Sequence, residues 1–173
     1  MIRIRPGTSA DAAYLAGFAA RTFEETFGAL NRPEDMAAFL AATYGPAIQA
    51  AELADPDTAT LIALDGSSWA GFAQIRRSAP PPFVTDPAPV ELQRFYIDRP
   101  WQGRGVARLL MDAALDAAAG LGGRSVWLGV WEKNPRAIAF YAKCGFRDAG
   151  AGTFRVGADL QNDRIMVAPL RSP

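Results

Sequence analysis

Histidine is absent from this 173-residue sequence, and cysteine occurs once, as Cys144. The absence of histidine excludes Ser-His-Asp and Cys-His nucleophile pairs, HExxH zinc sites and any imidazole base. A single cysteine excludes a disulfide within this chain and a metal site built from several cysteines, and we predict no metal site. Catalysis must therefore use carboxylates, tyrosines, backbone amides or a cofactor.

Excess charge and long apolar runs are also missing. Eighteen basic residues balance 18 acidic ones, whereas nucleic-acid-binding proteins are normally basic overall. No window approaches the ~18 consecutive apolar residues that a membrane span requires, and the first residues show no signal-peptide pattern. The composition predicts a soluble, cytoplasmic protein that binds neither nucleic acid nor membrane. The length favours a single domain over residues 1–173.

The first third of the chain has the pattern of one strand followed by helices. Residues 2–5 alternate apolar and basic side chains, as in a short edge strand, and residues 10–27 place apolar side chains at helical spacing. A second helix is predicted to begin near Pro33, with acidic residues in its first turn. It breaks near Gly45-Pro46 and resumes over residues 47–54.

A hairpin and a proline-rich loop follow. Two β-type runs, at residues 58–64 and 69–75, flank Asp65-Gly66-Ser67, which is a strong hairpin signal. Residues 79–89 contain five prolines and can form neither a ladder nor a helix. The composition of this loop would also suit a linker between domains. Because neither flanking part of the chain looks able to fold alone, we predict a long surface loop within one domain.

Beyond the loop, strands and helices alternate. The predicted elements are a strand at 90–97, a helix at 103–121, a strand at 125–130, a helix at 135–144, and two further strands at 147–156 and 163–170. The βαβα order implies parallel pairing through a right-handed crossover. The sequence therefore predicts an α/β fold with a mixed central sheet of six to seven strands and helices on both faces.

The turn at residues 102–107 carries the strongest functional signal. A strand runs into Gln102-Gly103-Arg104-Gly105-Val106-Ala107, where a helix opens. Glycines let a backbone approach an anion closely, and the amides and dipole of the first helical turn attract it. Two glycines alone are more typical of an ordinary turn before a core helix. Arg104 and Arg108 weaken that interpretation, since cations are disfavoured at a helix start unless an anion binds, although Arg108 could also pair with Asp112.

This turn resembles the Q/R-x-x-G-x-G/A signature of the GCN5-related N-acetyltransferase (GNAT) superfamily, with matches at Gln102, Gly105 and Ala107. In that family the segment cradles the pyrophosphate of acetyl-coenzyme A. The resemblance implies a single-domain GNAT fold and acetyl-coenzyme A as co-substrate. The cofactor-binding residues that it implies are Phe95, Tyr96, Ile97, Gln102, Gly103, Arg104, Gly105, Val106, Ala107, Asn134 and Arg136.

A second motif, at residues 134–146, is similar to the N-x-x-A-x-x-F-Y-x-x-x-G-F element of the same family. The residues themselves indicate a helix with Asn134 as N-cap and Gly145 as its left-handed end. Periodicity alone favours a half-buried core role for Tyr141. The resemblance implies instead that Tyr141 protonates the departing coenzyme A thiolate, while Asn134 helps to hold the pantetheine arm.

Further segments are similar to the PaiA-type spermidine/spermine acetyltransferases. They lie at residues 22–28, 31–36, 91–97, 127–134 and 156–166. The resemblance implies direct acetyl transfer to a primary amine of a small molecule, with polyamines as the first acceptors to test. The alternatives are a protein amino terminus or lysine, an antibiotic amine, or a non-catalytic acyl-coenzyme A-binding module. A homodimer paired through a sheet edge is expected by analogy.

The acceptor must lose a proton, because an amine with a pKa of ~10 is mostly protonated at neutral pH. Glu91 is the candidate catalytic base, since it precedes the cofactor-binding strand end, although a solvated glutamate fits equally well. Strand alternation places Glu91 on the face of Gln93, Phe95 and Ile97 unless a bulge intervenes. The oxyanion is expected at the backbone of Phe95 or Ile97. A covalent intermediate on Cys144 is disfavoured, because no histidine can activate the thiol.

The acceptor pocket has a weaker signature. Acidic residues on the first two helices suit a polycation; they are Glu24, Glu25, Glu34 and Asp35. The last two are also ordinary first-turn acids that complement a helix dipole. Trp101 and Trp131 could face an ammonium group, but large aromatics beside a sheet more often serve packing.

Overall fold

A seven-stranded mixed sheet organises the chain in the computed structural model, which describes residues 1–170. The strands are β1 (Ile2–Pro6), β2 (Thr58–Asp65), β3 (Ser68–Arg76), β4 (Pro89–Ile97), β5 (Ser125–Trp131), β6 (Arg147–Val156) and β7 (Asp159–Pro169). Their order in the sheet is β1-β2-β3-β4-β5-β7-β6, and β4 and β5 are parallel neighbours. The predicted α/β class, the edge position of β1 and the parallel pair are confirmed.

Five α-helices join these strands: α1 (Ala12–Phe27), α2 (Pro33–Thr43), α3 (Pro46–Ala54), α4 (Val106–Gly120) and α5 (Pro135–Lys143). The fourth helix begins three residues later than predicted, because Gly103 and Gly105 have φ angles of +76° and +81° and cannot join a right-handed helix. The last strand begins earlier than predicted, at Asp159. In the described part of the chain, no helix combines the length and the apolar character needed to cross a membrane.

Alternation along the central strands produces two cores, one on each face of the sheet. Ala63 and Ile75 are fully buried on the face covered by α4, whose Leu110 packs among them. Ile62 and Phe72 point to the other face and pack against α1. Helices therefore cover both faces, as predicted.

The proline-rich segment between β3 and β4 packs on the sheet. Val84 is buried against Trp127 of β5, and Phe83 approaches the backbone of Gly150 on β6. Asp86 forms an ion pair with Arg147 at 2.7 Å. The segment thus covers one end of the sheet, in agreement with an excursion within a domain. The last residues of the predicted domain, 171–173, lie outside the described residues.

A β-bulge interrupts β4 at its centre. Arg94 pairs with Gln74 of β3, and Leu92 pairs with the next residue, Ile75, which leaves Gln93 as the extra residue. A bulge of this kind bends the strand and increases its twist. It lies where β4 separates from its parallel neighbour.

The bulge also changes which side chains of β4 share a face. Glu91 and Arg94 lie opposite Arg76 and Gln74 of β3, so they share one face of the sheet. The prediction that Glu91 shares a face with Phe95 is therefore wrong. One extra residue inverts the alternation for everything that follows it.

Strands β4 and β5 pair only at their first residues, 89–91 with 125–127. Beyond that point no ladder joins them, and a wedge-shaped gap opens in the middle of the sheet. The carboxyl end of β4, the glycine-bearing turn and the start of α4 lie at this gap. The topology therefore creates a cleft next to the motifs singled out in the sequence.

Candidate active site

A cavity of about 820 Å³ occupies the gap between β4 and β5. Nine of the 11 predicted cofactor-binding residues line it, namely Phe95, Tyr96, Ile97, Gln102, Gly103, Gly105, Ala107, Asn134 and Arg136, and Tyr141 lines it too. The other two, Arg104 and Val106, do not. Val106, the first residue of α4, is 1% exposed because its side chain packs into the core between this helix and the sheet. It could therefore contact a ligand only through its backbone.

The turn before α4 has the geometry of an anion site. Gly103 and Gly105 both adopt the left-handed conformation, and a Cβ at either position would lie in open space facing no neighbour within 4 Å. Gly105 is the N-cap residue and has no side chain to accept from the helix. The amides of Val106 and Ala107 lie in the first turn, where no carbonyl of the helix can pair with them. Such amides, together with the helix dipole, bind phosphate groups.

Two side chains connect this turn to the rest of the cleft. Gln102 Nε2 donates to the carbonyl of Ile97 at 2.9 Å, and Arg136 Nη1 donates to Gln102 Oε1 at 3.0 Å. Gln102 therefore links the end of β4 to the start of α5. Arg108 lines the cavity while forming the predicted ion pair with Asp112 at 3.0 Å. Arginines thus flank the amides that are suited to an anion.

The edge of β4 beyond the bulge presents backbone groups to the gap. Asp98 donates its amide to the carbonyl of Ala70 at 2.9 Å, so this amide points toward β3. Because successive strand amides point to opposite edges, those of Phe95 and Ile97 point toward the gap. The carbonyl of Ile97 accepts from Gln102 on that same side. These groups are available to a ligand that lies between the strands.

Helix α5 places Asn134 and Tyr141 on the cavity wall. Asn134 Oδ1 accepts from the amide of Ala137 at 3.1 Å, which confirms its predicted capping role, and Gly145 has the predicted positive φ. The ring of Tyr141 lies 6.3 Å from that of Phe95. Burial raises the pKa of Tyr141 well above the ordinary phenol value. The phenol therefore keeps its proton at neutral pH, as a proton donor must.

Two other sequence candidates lie elsewhere. Glu91 does not line the cavity: Arg76 donates to its carboxylate at 2.6 Å and Ser78 at 2.8 Å. It lies near the start of β4, on the far side of the bulge, so the structure does not place it where an acceptor amine would react. Burial raises the pKa of the Cys144 thiol, which lies outside the cavity and is not activated.

Asp163 on β7 is a cavity residue that the sequence candidates omitted. The residue is 8% exposed, and a Cβ on neighbouring Gly129 would lie 3.0 Å from its Oδ2. Burial, and then the charge of Glu132, raise the pKa of Asp163 to about 6. A signal was present in the sequence, because Asp163 begins an alternation with Ile165 and Val167. It was missed because the strand was predicted to start at Asp163.

Aromatic rings form the opposite wall of the cavity. They belong to Phe23, Phe27, Phe39, Tyr44, Tyr96, Trp131 and Phe154. Phe23 stacks on Phe39 at a centroid separation of 4.4 Å, and Phe27 meets Trp131 edge-on at 6.2 Å. This wall comes from the face of the sheet that α1 and α2 cover. It provides an apolar compartment beside Asp163.

Of the acids and tryptophans expected at the acceptor side, Glu25 and Trp131 line the cavity, whereas Glu24, Glu34, Asp35 and Trp101 do not. Glu25 lines the cavity, where Arg21 pairs with it at 3.1 Å. Asp35 instead accepts from the amide of Ala158 at 2.7 Å and holds α2 to the turn between β6 and β7. Trp101 lies outside the cavity, and its indole donates to Asp65 at 3.3 Å. The first two helices therefore do not form a polyacidic pocket.

Residues 20–146 match the model of the acetyltransferase (GNAT) family. An uncharacterized N-acetyltransferase of Mycobacterium tuberculosis is 41% identical over 92% of this chain and 98% of its own length. The N-alpha-acetyltransferase RimI of the same organism is 34% identical over 62% of this chain and 63% of its own length. A spermine/spermidine N(1)-acetyltransferase of Bacillus subtilis is 30% identical over 47% of this chain and 50% of its own length.

The fold is shared with a solved structure, the PaiA N-acetyltransferase of Thermoplasma acidophilum in complex with coenzyme A. The two chains superimpose with a TM-score of 0.78 over 98% of this chain and 99% of that one, at 20% sequence identity. This likeness concerns the arrangement of strands and helices. The match to the family model shows, in addition, that the sequence of this chain is related to those of the acetyltransferase (GNAT) family.

Proposed function

The chain belongs to the acetyltransferase (GNAT) family and is an N-acetyltransferase that uses acetyl-coenzyme A, and from this premise we propose that it acetylates the primary amine of a small molecule. The observation that carries the proposal is the division of the cavity. An anion-binding turn and Tyr141 lie at one side, and an aromatic compartment with a buried carboxylate lies at the other. These two sides suit a phosphate-bearing donor and a cationic acceptor.

The donor side is assigned by its polar groups. We propose that the amides of residues 103–107, with Gln102 and Arg136, hold the pyrophosphate, because those amides are free and those side chains are polar or cationic. Asn134 and the exposed edge of β4 are the groups within reach of a pantetheine arm. The bound co-substrate supplies the acetyl thioester. We extend the single-domain assignment to the whole chain, since the site draws on residues from 23 to 163.

The chemistry assigned to this chain is stabilisation of an oxyanion and protonation of a thiolate. Amides that point into the gap, those of Phe95 and Ile97, are fixed donors of the kind that stabilise negative charge on a carbonyl oxygen. Tyr141 donates its proton to the leaving sulfur, since its raised pKa keeps the phenol protonated. Direct transfer needs no nucleophilic side chain, in keeping with the half-buried and unactivated Cys144 thiol.

Polyamines are the first acceptors to test. The B. subtilis relative is named for spermine and spermidine, although the similarity covers 47% of this chain. A terminal ammonium group attached to methylene carbons would also match a carboxylate bordered by aromatic rings. The second candidate is the amino terminus of a peptide, because the RimI relative is named as an N-alpha-acetyltransferase and matches 62% of the chain.

Coenzyme A release, followed with a thiol reagent, tests this proposal. The panel comprises spermidine, spermine, a simple alkylamine, an aminoglycoside, and peptides with a free amino terminus or an internal lysine. We expect release with at least one small amine and saturable kinetics. Release with peptides alone would contradict the small-molecule proposal and support the second candidate. Calorimetric binding of coenzyme A without turnover of any acceptor would contradict both.

A further inference from the structure

We propose that the carboxylate of Asp163 binds the ammonium group of the acceptor and takes up its proton before acetyl transfer. This inference rests on the proposed transfer to a primary amine, and it identifies the group that the sequence motifs left unassigned. The role predicted for Glu91 thereby passes to a residue of β7. Four features of Asp163 support the assignment: its burial, its lack of a partner, its position in the cavity and the groups around it.

Asp163 differs from the other buried acids in having no partner. Asp98 accepts from both terminal nitrogens of Arg21 at 2.9 Å, and Asp35 accepts from Arg32 at 2.8 Å. Among residues 1–170, no hydrogen-bond donor or cation pairs with the carboxylate of Asp163, and the neighbouring charge that raises its pKa is that of Glu132. A buried charge without a partner is costly in free energy. A cationic ligand in the cavity would supply the missing partner.

The position of Asp163 results from a glycine on the neighbouring strand. Gly129 of β5 has no side chain, and the Asp163 carboxylate lies over this bare stretch of backbone, close to where a Cβ would be. Asp163 shares its face of the sheet with Ile165 and Val167, whereas Met166 faces the α4 core. The carboxylate therefore borders the acceptor compartment.

Tyr141 reaches the same cavity from the other face of the sheet. Its ring packs with the partly buried residues of the α4 core, and both it and Asp163 line the gap between β4 and β5. A proton acceptor and a proton donor thus approach the gap from opposite faces. This arrangement suits a reaction in which the amine arrives on one side of the acetyl carbon and the thiolate leaves on the other.

The proposed step is balanced as follows for an ammonium acceptor. One nitrogen proton moves to the Asp163 carboxylate, and the neutral amine forms the C–N bond while the C–S bond breaks. Tyr141 gives its proton to the sulfur and regains the second nitrogen proton through solvent. Asp163 then releases its proton to solvent, so one proton is produced for each acetamide and each coenzyme A thiol. No oxidant, reductant or metal takes part.

The groups around Asp163 are consistent with this role. Glu132, the residue that follows β5, adds negative charge. From β4, Tyr96 is a buried phenol whose pKa is raised well above its ordinary value, so it stays neutral. Arg164, the next residue on β7, pairs with Asp148 at 2.5 Å instead. From α1, Glu25 pairs with Arg21. Because the pKa of Asp163 is about 6, its carboxyl group is mostly ionised at neutral pH. In that form it can act as a base.

Asp163→Asn is the first variant to measure, with Glu91→Gln as its matched control outside the cavity. At pH 7.5 we expect Asp163→Asn to lower kcat/KM by about 10²-fold or more, with the affinity for coenzyme A unchanged within about twofold. In the wild type, kcat/KM should fall below about pH 6, and this limb should vanish in Asp163→Asn. Asp163→Glu should restore part of the activity. Glu91→Gln should behave like the wild type.

Glu132→Gln separates a catalytic role from a structural one. Removal of this negative charge lowers the pKa of Asp163, so the acidic limb of kcat/KM should move to lower pH while activity at pH 8 stays near that of the wild type. A merely structural Asp163 would leave the limb unmoved. An Asp163→Asn enzyme with unchanged kcat/KM and an unchanged pH profile overturns the inference while the proposed function stands.

A measurement that needs no turnover distinguishes failure of the Asp163 inference from failure of the proposed function. Carboxyl ¹³C NMR of the wild type, with Asp163→Asn to assign the resonance, should show an aspartate that titrates near pH 6 and shifts when spermidine or an alkylamine is added. If the resonance responds to an amine that is never acetylated, the proposed function fails and the binding role of Asp163 stands. If it titrates near pH 4 and ignores every amine, the inference is overturned.

Discussion

At the scale of single residues, the environment of a carboxylate decides what it can do. Glu91 and Asp163 lie on two strands of one sheet and carry the same functional group. Glu91 is neutralised by Arg76 at 2.6 Å, whereas burial raises the pKa of Asp163 to about 6. A carboxylate that already has a cation gains little from an amine. An unpartnered one keeps its capacity to bind and deprotonate it.

Asp163→Asn should therefore stabilise the fold at neutral pH even though it removes activity. The folded-state pKa of about 6 lies above the ordinary 3.8, so ionisation favours the unfolded state as the pH rises from 4 to 6. We expect a gain in unfolding free energy of about 1–3 kcal/mol at pH 7.5. The gain should disappear near pH 4, where the wild-type carboxyl is protonated. Urea unfolding at both pH values measures it, and a loss of stability at pH 7.5 would contradict it.

Tyr141→Phe tests the proton donor at the same scale. The ring still packs against Phe95, so we expect the fold and the affinity for coenzyme A to remain unchanged. Loss of the hydroxyl should lower kcat by about 10²-fold or more, since a thiolate would leave unprotonated. Steady-state kinetics and calorimetry check the two halves of this prediction. Unchanged kcat would remove Tyr141 from the mechanism.

At the scale of secondary-structure elements, the site depends on how β4 ends. The bulge at Gln93 turns the strand away from β5, and the glycine turn then leads into α4 with its amides exposed. Asp98 accepts from the amide of Arg99 and from both terminal nitrogens of Arg21, which ties this end of β4 to α1. The proposed donor and acceptor compartments are thus positioned by β4 and by its junctions with α4 and α1.

Gly105→Val should abolish the anion site. A φ of +81° is unfavourable for a β-branched residue, and a side chain would enter the open space that the amides face. We expect calorimetry to show at least a tenfold loss of affinity for coenzyme A, with only a modest fall in melting temperature. Gly120→Ala is the matched control, since it lies in α4 without a positive φ and has open space around it. Normal binding by Gly105→Val would refute the pyrophosphate assignment.

Arg94→Leu tests the junction between β4 and α3. Arg94 is 9% exposed and donates to Glu52 at 2.6 Å, with Gln74 as a second acceptor. Its removal leaves a half-buried carboxylate without its cation, which costs about 3 kcal/mol in comparable buried pairs. Urea unfolding should show this loss. Arg108→Leu, which breaks only an exposed ion pair with Asp112, should change stability little.

At the scale of the whole molecule, the cavity joins segments that are far apart in the chain. The side proposed for the donor comes from residues 95–107 and 134–141, and the side proposed for the acceptor from residues 23–44 and 154–163. The sheet brings them together because β4 is parallel to β5 while β7 inserts between β5 and β6. The homodimer expected through a sheet edge stays a prediction, and β1 and β6 are the edges that could form it.

Much of the donor side could be predicted from the sequence. The turn at residues 102–107 and the cap at Asn134 are local features, since each depends on the conformation of a few consecutive residues. Nine of the 11 predicted cofactor-binding residues line the cavity for this reason. The acceptor side could not be predicted in this way. Its aromatic wall and its carboxylate come from six separate elements, α1, α2, β4, β5, β6 and β7, and no local pattern records their proximity.

By itself, the sequence determined the order of strands and helices, the glycine turn, the helix caps and the likeness to an acetyltransferase family. Periodicity, φ preferences and capping all act within one or two turns of chain, so they can be read from neighbouring residues. Tertiary structure alone decided that Asp163, and not Glu91, faces the cavity. A bulge placed Glu91 on the face of Arg76, and the absence of a side chain at Gly129 left room for Asp163. Both outcomes depend on contacts between strands, because a neighbouring strand supplies or withholds the partner that sets the charge of a buried group.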